Sequence, residues 1–148
     1  MKKTVLIFTM VFVLFACDDN ISENNQEEIV YEAIQQGFLS GDNMTSNSQN
    51  SVITDQNNWN QLVSLLTSEN YDLSSVNIDF NTHCVLYIKD EARPKGGYSI
   101  SVQNVYEGTN TIDVHITKSF SDSPNMDMPT QPFYIAKIPK TNKSIIFL

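Results

Sequence analysis

Two stretches of apolar–polar alternation, residues 98–106 and 111–120, flank Glu107-Gly108-Thr109-Asn110. A period of two is what a strand with one buried face requires. A short break containing Gly and Asn between two such runs reads as a hairpin turn. In the first stretch Tyr98, Ile100, Val102 and Tyr106 fall on one face. In the second, Ile112, Val114, Ile116 and Phe120 face inward, while Asp113, His115 and Thr117 face outward. A hairpin alone is marginal in water, so the rest of the chain must supply a surface for it to pack on.

That surface is legible in residues 84–88 (CVLYI), which are apolar at every position, as in a strand covered on both faces. Residues 30–39 read as a first strand, with Gly37 marking a bulge or bend. Residues 51–54 form a short strand, residues 76–80 (VNIDF) alternate as another, and residues 133–138 and 143–147 form two more around Pro139-Lys140-Thr141-Asn142. One helix is expected over residues 56–67. Thr54 or Asp55 caps it, and Trp59, Leu62, Val63 and Leu66 make one apolar stripe at i, i+3, i+4, i+7. The expected fold is α+β: a mainly antiparallel sheet of about seven strands, sandwich or barrel-like, with one amphipathic helix packed on it. At 148 residues and 41% hydrophobic, the chain suits one domain with a packed core.

The N-terminus reads as processing rather than fold. Lys2 and Lys3 precede an apolar run over residues 5–15, too short to span a bilayer. Leu14-Phe15-Ala16-Cys17 follows and resembles the lipobox of bacterial lipoproteins. The resemblance implies a signal peptide over residues 1–16 and lipidation at Cys17, with the lipid as the membrane anchor. Asp18 and Asp19 resemble the export signals of Bacteroidota surface lipoproteins, so an outer-membrane location is expected, with surface display favoured over the periplasmic face. Residues 17–29 read as the lipidated Cys and a flexible acidic tether. Residues 30–148 are then a single β-rich domain. Residues 42–50 form a second polar stretch, read as a loop of that domain. Once Cys17 is a thioether, Cys84 is the remaining thiol, and its apolar neighbours mark it as a small buried hydrophobe.

The chemistry-bearing residues are sparse. A net charge of −8 leaves no basic stripe for phosphates, so no nucleic-acid partner is expected. His83 and His115 both fall in strand segments and lack the i, i+4 helical spacing of a zinc site. His83 and Cys84 are adjacent in a strand and point to opposite faces, so they do not form a dyad. Asp122 and Asp127 read as a solvated loop rather than a Ca²⁺ site, and Asp79, Asp90 and Glu91 as carboxylates at strand ends. No cofactor, no metal and no catalytic activity are expected. The six tyrosines (31, 71, 87, 98, 106 and 134) read mainly as half-buried strand residues, with contact at a rim as the functional alternative.

Four segments then carry a resemblance. Ile78-Asp79-Phe80, the apolar strand at 84–88, Gly96-Gly97-Tyr98-Ser99-Ile100, and Pro132-Phe133-Tyr134-Ile135-Ala136-Lys137-Ile138-Pro139 occur in that order. The pattern resembles the C-terminal domain of the protease complex subunit PrcB family over residues 59–147. The resemblance implies accessory or binding work beside a secreted protease, and it brings no catalytic residues. Physically, Gly96-Gly97 allows a tight turn into Tyr98, and Pro132 marks a strand start or edge. The partner-binding candidates are Arg93, Gly96, Gly97 and Tyr98 in and beside loop 91–97, and Met126 and Met128 in loop 121–130.

Three functional expectations follow. The first is a lipid-anchored, non-catalytic subunit that binds an envelope or secreted protein, a protease among the options. The second is a surface glycan- or small-ligand-binding module, which requires an exposed platform of coplanar rings. The third is a hydrolase, which requires a pocket where a carboxylate and a histidine converge.

Overall fold

A computed structural model describes residues 26–121 and 127–148. The elements are β1 (Glu27–Glu28), β2 (Glu32–Leu39), β3 (Gln49–Ile53), α1 (Gln56–Ser68), β4 (His83–Lys89), β5 (Tyr98–Glu107), β6 (Thr111–Phe120), β7 (Gln131–Pro139) and β8 (Ser144–Phe147). They form two four-stranded sheets, ordered β1-β5-β6-β8 and β2-β7-β4-β3. All pairings are antiparallel except β6 with β8. The α+β expectation holds, in its open, sandwich-like form.

The β2-β7-β4-β3 sheet is the middle layer, with α1 on one face and the second sheet on the other. Period-two geometry divides its side chains cleanly. Val85, Tyr87, Phe133 and Ile135 join Trp59, Leu62 and Leu66 of α1 in one core. Cys84, Leu86, Ile88, Tyr134, Ala136 and Ile138 join Ile100, Val102, Val105, Ile112 and Val114 in the other. The all-apolar run at 84–88 is therefore the expected central strand. Cys84 is buried, and loss of water pushes its thiol pKa up, as for an inert hydrophobe.

The helix starts where the Asp55 carboxylate accepts the Asn58 N–H at 2.9 Å. It ends where Asn70 takes a left-handed φ of 66° and the Tyr71 N–H returns to the Leu66 carbonyl.

Five strand readings need correction. Residues 76–80 are not a strand. The Asp79 carboxylate and carbonyl bind the N–H groups of Asn81, Thr82 and His83, so the chain turns there. Ile78 is buried and Val76 and Phe80 pack beside it, so the alternation records one-sided burial of irregular chain. In β2 the bulge falls between Ala33 and Gln35 rather than at Gly37. Gly37 is glycine because the Tyr71 ring lies on it, where an added Cβ would meet the Tyr71 hydroxyl oxygen at 2.2 Å. In β5 a register shift between Val102 and Asn104 turns Val105 inward and takes Tyr106 off the face it was expected to share. Phe120, expected inward, is 47% exposed. Glu27 and Glu28, read as tether, pair with Glu107 and Tyr106.

Candidate functional site

The hairpin register places Tyr98 opposite Phe120. Residues 91–97 and Ser121, at the start of the second loop, therefore meet the same end of the β5–β6 pair. Arg93 and Thr130 join them as an antiparallel bridge, with the Arg93 N–H donating to the Thr130 carbonyl at 2.7 Å and the Thr130 N–H to the Arg93 carbonyl at 3.0 Å. The Ser121 N–H donates to the Gly97 carbonyl at 2.8 Å. The described parts of the two loops chosen from residue type are thus joined in one corner. Cys17 and Met126 lie outside the described residues.

On this corner the Tyr98 and Phe120 rings meet at 4.6 Å between centroids, tilted by 42°. The Arg93 guanidinium lies 4.8 Å from the Tyr98 ring centre, and the Lys95 ammonium 4.8 Å from that of Phe120. Each cation over a ring face is favourable by about 0.5–1 kcal/mol at an exposed site. Met128 is 63% exposed. The surface therefore combines two aromatics, two cations and a methionine. Aromatic residues, Met and Arg are enriched at protein interfaces, whereas Lys is depleted there.

Beneath it sits Asp90, only 1% exposed. Its carboxylate accepts from Arg93 at 2.8 Å and from Lys118 at 2.5 Å. Burial pulls its pKa upward, but hydrogen bonds from Lys118, Arg93 and the Glu91 backbone outweigh that and hold it below the ordinary carboxylate value. Glu91 adds a second carboxylate to Arg93 at 2.9 Å. Arg93 is thereby held in place for its stack on Tyr98. Gln131, fully buried, locks the same region from inside. Its amide donates to the Asp90 carbonyl at 2.7 Å and its side-chain oxygen accepts the Thr45 N–H at 2.7 Å. Lys95, Lys118, Phe120, Asp90 and Gln131 were not singled out as contact residues from the sequence. Register counted from the turn at 107–110 would set Tyr98 opposite Ser121; the shift between Val102 and Asn104 moves it to Phe120 and Ile100 to Lys118, so neither was legible in the sequence.

Of the two glycines, Gly97 carries the positive φ, at 90°. A Cβ there would meet the Ser121 carbonyl oxygen at 2.3 Å. Gly97→Ala is expected to cost about 1–3 kcal/mol, because backbone strain and a backbone clash act together. Urea unfolding measures the loss, and a stability equal to wild type would contradict the assignment.

The other candidates are dispersed. His115 lies edge-on to Tyr106 on the outer face of its sheet. His83 Nδ1 is 2.8 Å from the Thr82 hydroxyl, which donates to Asp79 at 3.1 Å. Glu32 and His83 do line one recess of about 220 Å³ together with Tyr31 and Lys137. The Glu32 carboxylate is paired there with Lys137 at 2.7 Å, and is itself 67% exposed. The Tyr31 hydroxyl donates to the Val102 carbonyl. The recess thus has neither a nucleophile held by His83 nor a desolvated carboxylate. Among the described residues no group of three His, Cys, Asp or Glu side chains is placed to hold a metal. Ring pairs meet at 42° to 87°, not as a coplanar platform. Four tyrosines are structural, since Tyr87 and Tyr134 are buried, Tyr31 bonds Val102, and Tyr71 exchanges hydrogen bonds with the Phe38 backbone.

No curated protein and no solved structure matches the chain. A family model does, under the description PrcB C-terminal, over residues 85–139. The span is narrower than residues 59–147. It runs from the central strand through the hairpin to the end of β7 and takes in both loops of the corner. Over residues 85–139 the chain is thus similar to the PrcB C-terminal family.

Proposed function

We propose that the chain is a non-catalytic accessory subunit of the cell envelope. It is anchored in the outer membrane by lipid on Cys17, and it docks a secreted or surface protein, a protease foremost, through the corner of Arg93, Tyr98, Phe120 and Met128. The family match over residues 85–139 carries this reading, since the matched stretch contains that corner. The corner's composition supports it: apolar groups partly left in water at Phe120 and Met128, framed by Arg93, which Asp90 and Glu91 hold in place, and by Lys95 over the Phe120 ring.

A photo-cross-linking residue at position 128 is expected to capture one dominant partner in intact envelopes. The same residue at Thr109, exposed in the turn at the far end of the hairpin, is expected to capture none. Capture of the same proteins at both positions would sink the reading. Separately, Cys17→Ala is expected to move the protein from the membrane to the aqueous fraction and to abolish labelling by a fatty-acid probe, because the lipid on Cys17 is the proposed anchor. Membrane retention of the unlabelled variant would contradict it.

A further inference from the structure

We propose that the open edge of β3, with the groove between β3 and α1, is a second docking site that takes an uncharged, extended segment of a partner protein as an added strand. The proposal does not rest on the reading of the loop corner.

The first observation is the edge itself. β3 ends its sheet, and Gln49–Ile53 pair with β4 alone. Among the described residues no turn, loop or side-chain hydrogen bond reaches their main-chain groups. Proteins guard such edges with charges, prolines, bulges or very short strands. The opposite edge, β2, has a bulge at residue 34, Glu32 at its start, and the Tyr71 hydroxyl bound to the Phe38 N–H and carbonyl. β1 is two residues long. β3 (QNSVI) has five residues, an unbroken register, and neither charge nor proline.

The second observation is the groove beside that edge. It holds about 460 Å³ and is lined by side chains that include Gln49, Ser51, Asn58, Gln61, Leu65 and Tyr87. Among the described residues the Tyr87 hydroxyl, buried in a residue only 8% exposed, has no hydrogen-bond partner. Burial alone pushes its pKa to about 12. A buried hydroxyl without a partner is costly and calls for one.

The third observation is charge, and it selects the occupant. From Met44 to Ser68 the chain carries one ionisable side chain, Asp55, and Asp55 is engaged in capping the helix. In a protein of net charge −8, the face built from β3 and α1 is neutral and rich in amides and hydroxyls. A charged segment laid there would lose water without gaining a counter-ion. An uncharged strand would pair its main chain with β3 and place alternate side chains into the groove, the geometry of strand addition. A neutral glycan is disfavoured, because Trp59 and Tyr87 on this side are buried and offer no exposed ring to stack on.

The probe is a capped octapeptide of alternating Thr and Val, titrated into the ¹⁵N-labelled domain. Its controls are the same peptide with Glu at the Thr positions, the same peptide with alternate N-methylated amides, and a neutral maltooligosaccharide. Shift changes are expected at residues 49–53 and 58–65, with at least tenfold weaker binding for both altered peptides and none for the sugar. Ser51→Lys and, on the more exposed position, Gln49→Lys are each expected to weaken binding tenfold while the unfolding midpoint holds. No shifts at β3, or full binding by the N-methylated peptide, would overturn strand addition. Binding by the sugar alone would overturn the peptide assignment. Concentration-dependent dimerisation lost in both Lys variants would assign the edge to a second copy of this chain instead.

Discussion

Phe133→Ala is expected to destabilise the domain by about 3–5 kcal/mol, the largest single-residue effect outside the backbone. Phe133 is fully buried at the middle of β7. Its ring meets Tyr71 edge-on at 5.1 Å and Tyr87 at 6.2 Å, so its loss opens a cavity where α1, the middle sheet and the residue 71 segment converge. The lining cannot collapse into that space. Ile135 and Tyr87 are held by the sheet register, and the Tyr71 hydroxyl is fixed on the Phe38 backbone. Phe133→Leu keeps most of the volume and is expected to cost under about 1.5 kcal/mol. Equilibrium urea unfolding at a constant m-value separates the two variants. Equal losses for Ala and Leu would mean that ring contacts rather than volume hold this core.

Asp90→Ala is expected to cost about 2–3 kcal/mol and to loosen the loop corner with it. The carboxylate is buried, but its partners reach water, Arg93 at 23% and Lys118 at 53% exposure. Both can rehydrate when it is removed, which keeps the loss below that of a fully buried pair. The effect depends on pH with a fixed sign. The folded-state pKa of Asp90 lies below its ordinary value, so the stabilisation is complete above the unfolded carboxylate pKa of about 4. It fades as pH falls through the folded value. Wild type and Asp90→Ala are therefore expected to differ most near neutrality and to converge in acid. A difference that grew on acidification would contradict the burial and pairing described for Asp90. The same variant is expected to release Arg93 from its stack on Tyr98, visible as shifts at Tyr98 and Phe120.

What the sequence disclosed was what local chemistry controls. CVLYI could only be a strand buried on both faces. The break at 107–110 read as the turn between two strands, and a cap at Thr54 or Asp55 before a 3.6-residue stripe read as a helix start, with Asp55 proving the cap. What it hid depends on pairing between distant segments. The bulges in β2 and β5 leave no apolar mark, and each flips the side chains beyond it, which is why Tyr106 and Val105 exchanged roles. Phe120 continued the inward parity of β6, but the last four residues of the strand, 117–120, are all exposed. Residues 76–80 had a strand pattern, and the Asp79 turn overrode it. Asp90 read as one carboxylate among several, because its partner Lys118 lies on another strand and Gln131 on a third. The corner was half legible. Residue type selected both loops, but only the hairpin register shows that they touch.

In the proposed function this corner holds a partner protein. Its most direct test is an affinity pull-down of the tagged, lipidated chain from gently solubilised envelopes, read by quantitative mass spectrometry beside a Phe120→Ser/Met128→Ser double variant. Both side chains stand in water, so the variant is expected to keep its unfolding midpoint. One stoichiometric secreted or surface protein is expected with the wild type, a protease or a component of its complex, reduced at least tenfold with the variant. Equal recovery by both forms, or recovery of the chain alone from wild-type envelopes, would contradict it.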